Sequence, residues 1–326
     1  MKHARKLASL LLALVMVFAL ATTASAADAY TITITNAQTG HIYEAYQIFA
    51  GDLAEKNGDK ILSNIVWGSG VTEAGKTALG DAAEKAASLK TETDAKAFAK
   101  EVAQYLQNPT VSTAGTGSYS ISGLSAGYYL VKDKDNTLSD QDDFYTAYIM
   151  EVVGNVNATP KGDKPTLDKQ IKHNDDGSWG VVGDNQIGDT VEFRTISTVP
   201  DTAGYETYTY WICDTMSAGL TSNVKVSSDV TIKVNDQGTR LSEAYYTVNA
   251  TGNTFTIDVD ILKAVADNVI TKNDKLYAYY TGVLNENAKV YDDGKQDNAA
   301  HLEYSNNPND DGKGKSPDKK VYDWTF

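Results

Sequence analysis

The sequence predicts a mainly β chain of two tandem β-sandwich domains, the first carrying a helical insertion. Three observations predict it. The 326 residues include 20 tyrosines beside many threonines and valines, and aromatic and β-branched side chains fit a pleated, half-buried surface. Short runs alternate apolar with polar residues, and Gly, Asn and Asp separate them as turns would. Between Glu73 and Gln107 the alternation stops, and apolar residues recur at helical spacing.

The chain opens with an export signal. Lys2, Arg5 and Lys6 precede an apolar run from Leu7 to Ala21, and Ala24-Ser25-Ala26 supplies a small-residue cleavage site. Residues 1–26 therefore read as a signal peptide, and the mature protein is expected to be secreted. The apolar run is too short for a stable transmembrane helix, and no later run calls for membrane insertion.

The first domain is expected over residues 27–154. Tyr30–Thr35 alternates strictly, and His41–Ala50 reads as its partner strand. Ala78, Ala82, Ala86 and Leu89, then Ala95, Phe98, Val102 and Leu106, predict one or two helices closed by Pro109. Strands resume at Gly117–Leu124, Gly127–Val131 and Tyr145–Val153. Residues 155–165 are polar, carry two prolines and read as a linker.

The second domain is expected over 166–308. Strands are predicted near Leu167–Lys172, Thr190–Val199, Tyr208–Asp214, Val230–Val234, Tyr245–Ala250, Thr254–Val259, Leu276–Val283 and Ala299–Tyr304, with a short helix at Ile261–Val269. Short strands at this spacing point to an immunoglobulin-like sandwich. Residues 309–326 read as a polar connector followed by Val321–Phe326, the opening strand of a further domain.

Charge and cysteine usage exclude several function classes. The formal charge is −14, whereas nucleic acids and anionic membranes select basic patches. Cys213 is the single cysteine, so an internal disulfide is impossible and any covalent reinforcement needs other chemistry. His41, His173 and His301 stand apart in sequence. A histidine metal site, a Ser/His triad and a Cys213 nucleophile are therefore not expected, and neither is a cofactor. Asp133–Asp143 has some spacing of a calcium loop but lacks its glycine and terminal glutamate, so it reads as a solvated acidic turn.

Three strands of the second domain place a polar group where alternation predicts a core side chain. Lys169 shares a face with Leu167 and Ile171, Asp214 with Tyr210 and Ile212, and Asn298 with Ala300, Leu302 and Tyr304. Each alone would be costly to bury. Together they can react. Burial disfavours both charged forms, so the proton is expected on the Asp214 carboxyl, leaving Lys169 a neutral, nucleophilic amine. The acid can polarise the Asn298 carboxamide and assist loss of ammonia, giving an amide between the first and last strands. Asn306 falls on the same predicted face and is the alternative partner.

These segments also resemble a known family. Lys164-Pro-Thr-Leu-Asp-Lys-Gln-Ile171, Tyr210–Leu220 and Asn298–Pro308 look like the isopeptide-forming domain of Gram-positive fimbrial major subunits. His41–Asp52 and Gly123–Val131 are similar to a pilin N-terminal domain. The resemblance implies a structural backbone subunit of a sortase-assembled, cell-wall-anchored pilus, with a self-formed isopeptide bond from Lys169 to Asn298 aided by Asp214. This is one turnover in folding and not enzyme catalysis. Val156-Asn-Ala-Thr-Pro-Lys161 resembles the pilin motif whose lysine attacks the sortase acyl-enzyme, so Lys161 would link subunits, with Lys164 as the alternative. The implied partners are a pilin-specific sortase, neighbouring copies of the chain, minor pilins and a host surface ligand. The family pattern also includes a further β domain and an LPxTG-type sorting signal beyond these segments. Either the chain belongs to a longer pilin, or it is not itself a sortase substrate. The competing reading is an adhesin or minor pilin that binds a glycan or matrix protein, with the crosslink serving stability alone.

Overall fold

The structure is a computed structural model, and the description covers residues 29–325 without 36–39, 57–58, 114–116, 136, 138–144, 159–163, 203–204, 291–294 and 309–311. The signal-peptide segment therefore lies outside the described residues. The described residues divide into two compact units, the first ending at Ala158 and the second beginning at Lys164.

The first unit begins with β1 (Tyr30–Thr35), β2 (Tyr43–Lys56) and β3 (Asp59–Trp67). Three helices follow, α1 (Glu73–Leu79), α2 (Ala82–Ser88) and α3 (Glu92–Ala103). The unit closes with β4 (Thr110–Val111), β5 (Ser118–Leu124), β6 (Gly127–Asp133), β7 (Ala147–Val152) and β8 (Val156–Ala158). The strands make a small sheet, β5-β1-β8, and a larger one, β3-β2-β6-β7, with β4 beside β2. Tyr30, Ile32 and Ile34 point from the small sheet onto Tyr43, Ala45, Val131 and Val152 of the larger. The other face of the larger sheet carries Ile48, Phe49 and Leu130 against Leu79, Leu89, Phe98 and Val102 of the helical layer. Both faces of β6 are thus covered, and it is buried along its whole length. A register shift between Gln47 and Phe49 resets the alternation of β2. A bulge there lets Ile48 and Phe49 both serve the helical side.

Three differences from the sequence reading have local causes. The insertion is three helices and not one or two. The side chains of Thr72, Asp81 and Thr91 each accept a backbone N–H of the following turn, so each residue starts a helix of its own. Val156–Ala158, expected in the linker, pairs in parallel with β1 through Ile32 and Ile34. Asp133, expected in a solvated turn, is fully buried, binding His41 Nδ1 at 2.6 Å and accepting the Thr146 N–H at 2.6 Å. His41, which stands alone in sequence, is thereby paired in space.

The second unit runs β9 (Leu167–Lys172), β10 (Trp179–Gly180), β11 (Val182–Asp184), β12 (Thr190–Thr198), β13 (Tyr210–Met216), β14 (Leu220–Ser222) and β15 (Thr231–Val234). It continues with β16 (Tyr246–Thr251), β17 (Thr254–Val259), α4 (Ile261–Ala266), β18 (Lys275–Leu284), β19 (Lys295–Ser305), β20 (Lys313–Lys315) and β21 (Lys319–Trp324). One sheet has the order β10-β9-β12-β18-β14, with β15 also on β18; the other is β11-β21-β19-β13-β17-β16, with β20 beside β19. Phe193, Leu276 and Ala278 of the first sheet share a single core with Tyr210, Ile212, Phe255, Ile257 and Leu302 of the second. That is a β-sandwich. Alternation is nearly perfect along β18 and β19, where every second residue is buried.

The end of the chain differs from expectation. Val321–Trp324 does not start a separate domain here. β21 lies between β11 and β19, antiparallel to β19 and parallel to β11, with Val321 buried. Consequently β19 is not the last strand of the unit. Among the described residues no helix is long and apolar enough to cross a membrane.

β21 also buries a carboxylate. Asp323 Oδ1 accepts the Asn185 backbone and side-chain N–H groups at 3.1 and 2.9 Å, and burial pushes its pKa from 3.8 up to about 6. A raised acid favours the folded state while protonated, so this stability is full below the unfolded value and lost as pH rises through about 6. The effect is on the order of 3 kcal/mol at most. Thermal melts at low and neutral pH should show a fall in midpoint that is smaller in Asp323→Asn; equal falls would mean Asp323 does not titrate in this range.

Candidate functional site

The three polar side chains that alternation placed inside are all buried in the second unit's core. β9 supplies Lys169 from one sheet, β13 supplies Asp214 from the other, and β19, beside β13, supplies Asn298. Lys169 Nζ donates to Asp214 Oδ2 and to Tyr280 Oη, and Tyr280 Oη donates to the same Asp214 oxygen. The side chains of Lys169 and Asp214 have no solvent exposure. Aromatic rings wall the amine, with Nζ 5.0 Å from the Tyr280 ring centre and 5.5 Å from that of Phe193. Phe255 meets Tyr280 edge-on at 4.9 Å.

Burial is the largest influence on the amine. It lowers the Lys169 pKa, opposed by the charge and hydrogen bond of Asp214. Burial also holds the Tyr280 phenol well above its ordinary range, reinforced by Asp214, while Asn298 acts in the opposite sense. Asn298 therefore approaches the phenol closely, in a side-chain contact whose geometry falls short of a full hydrogen bond. Neither its Oδ1 nor its Nδ2 completes a hydrogen bond, and Asp214 Oδ1 also has no partner. Unpaired buried polar atoms are rare because each costs about 1–3 kcal/mol.

Register separates the two candidate asparagines. Asp214 faces Ala300 and Met216 faces Asn298, so Asn298 is the diagonal cross-strand neighbour of Asp214. Asn306 follows the end of β19. Six residues beyond Ala300 is about 20 Å along a strand, which takes Asn306 away from Lys169. Of the two linker lysines, Lys161 lies outside the described residues and Lys164 is half-buried.

No protein-family profile matches this chain, and no curated protein matches it in sequence. Solved structures do match. The T6 backbone pilin of serotype M6 Streptococcus pyogenes aligns with a TM-score of 0.53 and 18% identity, over 93% of this chain and 65% of that one. The fimbrial protein FimP from Actonomyces oris aligns with a TM-score of 0.51 and 17% identity, over 92% of this chain and 68% of that one. The fold is that of a Gram-positive backbone pilin. The chain spans about two thirds of the length of either pilin. The T6 pilin is described as a modular three-domain structure with variable loops and extensions.

Within this pilin fold, the residue that sequence reasoning missed is Tyr280. A signal for it existed. Tyr280 shares the alternating face of β18 with Leu276 and Ala278, and a phenol on a buried face must find a polar partner. His301, which stands alone in sequence, is placed directly opposite Cys213 in the β13–β19 pair. Replacing Tyr280 with Phe removes a donor from the buried Asp214 carboxylate. Tyr280→Phe should cost roughly 1–3 kcal/mol in denaturant unfolding, and an unchanged midpoint would show that the phenol contributes nothing there.

Proposed function

We propose that this chain is a structural backbone subunit of a covalently assembled cell-surface pilus, and that its second unit is closed by an amide bond between Lys169 and Asn298. The observation that carries the reading is the buried Lys169–Asp214–Tyr280 contact beside a buried, unpartnered asparagine amide, set in a backbone-pilin fold. A solvated lysine–aspartate pair needs no such enclosure. A reaction that must keep its amine neutral and its carboxamide dry does.

The steps balance within the site. Lys169 transfers a proton to Asp214 and becomes a neutral amine. Its Nζ attacks Asn298 Cγ, forming a C–N bond, while the carboxyl proton supports the developing charge on the amide oxygen. Asp214 then relays a proton from Nζ to Nδ2, the Cγ–Nδ2 bond breaks, and ammonia leaves. Tyr280 is a positioning residue that holds the reactive oxygen of Asp214. The antiparallel register favours Asn298 over Asn306. The product joins β9 of one sheet to β19 of the other and encloses about 130 residues, a loop whose closure stabilises by roughly 5 kcal/mol on the chain-entropy account. A pilus shaft that must resist pulling gains from a sandwich that cannot open.

Lys161, or Lys164, is the proposed nucleophile toward a sortase acyl-enzyme carrying the next copy. The partners are then a pilin sortase and other copies of the chain, and the location is the cell wall of a Gram-positive bacterium.

Two measurements test this reading. Intact mass of the mature protein should be one ammonia below the calculated value, and Lys169→Ala should restore the full mass. A wild type without the deficit would remove the crosslink. In a host with the cognate sortase, covalent ladders of the full-length subunit should vanish in Lys161→Ala. Loss in Lys164→Ala alone moves the role to that residue, and ladders that survive both changes would remove the polymerisation reading.

A further inference from the structure

Strand pairing has a second consequence, on the outer face of the same sheet. Because Asp214, Ala300 and Leu302 point inward, Cys213, His301 and Glu303 point outward. Cys213 is directly opposite His301, and Glu303 is two residues farther along β19 on the same face. One sulfur, one imidazole nitrogen and one carboxylate oxygen from these residues all lie within 4.8 Å of one another, the only such group of three among the described residues. We propose that Cys213, His301 and Glu303 form a binding site for a zinc-type divalent metal ion.

The donor set selects the class of ion. Thiolate and imidazole suit Zn²⁺ and its first-row neighbours, whereas Ca²⁺ and Mg²⁺ take oxygen ligands. His301 Nε2 stands 3.6 Å from Glu303 Oε1, close to the separation of roughly 3.5 Å between ligand atoms on a tetrahedral zinc. The imidazole is also oriented for the task. His301 Nδ1 lies 3.2 Å from Asp318 Oδ1, so a proton held at Nδ1 and donated to that carboxylate leaves Nε2 as the metal-facing lone pair. Charge balances as well. A thiolate and a carboxylate match a divalent ion, and Asp318 is offset by Lys315 at 3.5 Å. Among the described residues Cys213 makes weak contacts, to Thr256 Oγ1 at 3.8 Å and the Trp211 carbonyl at 3.9 Å. The side chains of His301 and Glu303 keep 22% and 33% exposure, which gives the ion an entry path and leaves a fourth position for water. Binding converts the thiol to a metal thiolate and releases its proton to solvent.

Cobalt(II) titration of the reduced full chain tests this independently of the pilin reading. One equivalent should produce a thiolate-to-cobalt charge-transfer band with tetrahedral visible bands, and Zn²⁺ should bleach both. Cys213→Ser should abolish the charge-transfer band, and Asp318→Asn should weaken affinity by about 10–100-fold while keeping the spectrum. Thermal melts show that each variant is folded. A folded wild type without the charge-transfer band at saturating cobalt would overturn the site, as would identical titrations of wild type and Cys213→Ser.

Discussion

The second unit is organised around one costly contact, the fully buried Lys169–Asp214 pair bridged by Tyr280. Removing two ions from water costs several kcal/mol each, and their attraction returns that only when every remaining proton and lone pair is satisfied. Here it is not, since Asp214 Oδ1 and both polar atoms of Asn298 lack partners. A core of apolar residues with the same volume would be at least as stable. The polar set therefore makes sense as a reactant state: the proposed amide removes the buried amine charge and the unsatisfied carboxamide together.

The surrounding fold is arranged to bring those groups together from opposite sheets. β9 carries the lysine and packs across from β19 and β21, while β13 and β19 are neighbours in the facing sheet. Phe193 and Phe255 pack against Tyr280, and the Lys169 side chain has no solvent exposure. The aromatic wall and the polar cluster depend on each other. The rings lower the dielectric, and a low dielectric favours the neutral amine that the proposed condensation requires.

Much of this was legible because a β-strand has period two. Lys169, Asp214 and Asn298 occupy positions that alternation assigns to the interior, and the buried faces of β9, β13 and β19 agree residue by residue. What was not legible depends on pairing across long separations. Alternation marks Tyr280 as a buried phenol in need of a partner, but its strand neighbours neither β9 nor β13, so the sequence does not say that the partner is Asp214. β8 was hidden by its three-residue length, and β3 by a pattern in which Leu62 alone is buried. β21 was misassigned for the opposite reason. Its alternation is clear, but alternation does not say which sheet a strand joins.

The same periodicity explains how one pair of strands can serve two unrelated chemistries. Residues 213 and 214 are chain neighbours, yet a strand sends them to opposite faces, one to solvent and one to a dry core. Inside, exclusion of water favours neutral partners, as the proposed condensation requires. Outside, water can complete a coordination shell and deliver or remove an ion, so any chemistry there is reversible. A metal held across β13 and β19 would clamp those strands next to the Asp214–Ala300 pair, three residues along β19 from Asn298. The outer site would thus stabilise the register on which the inner reaction depends, without sharing an atom with it.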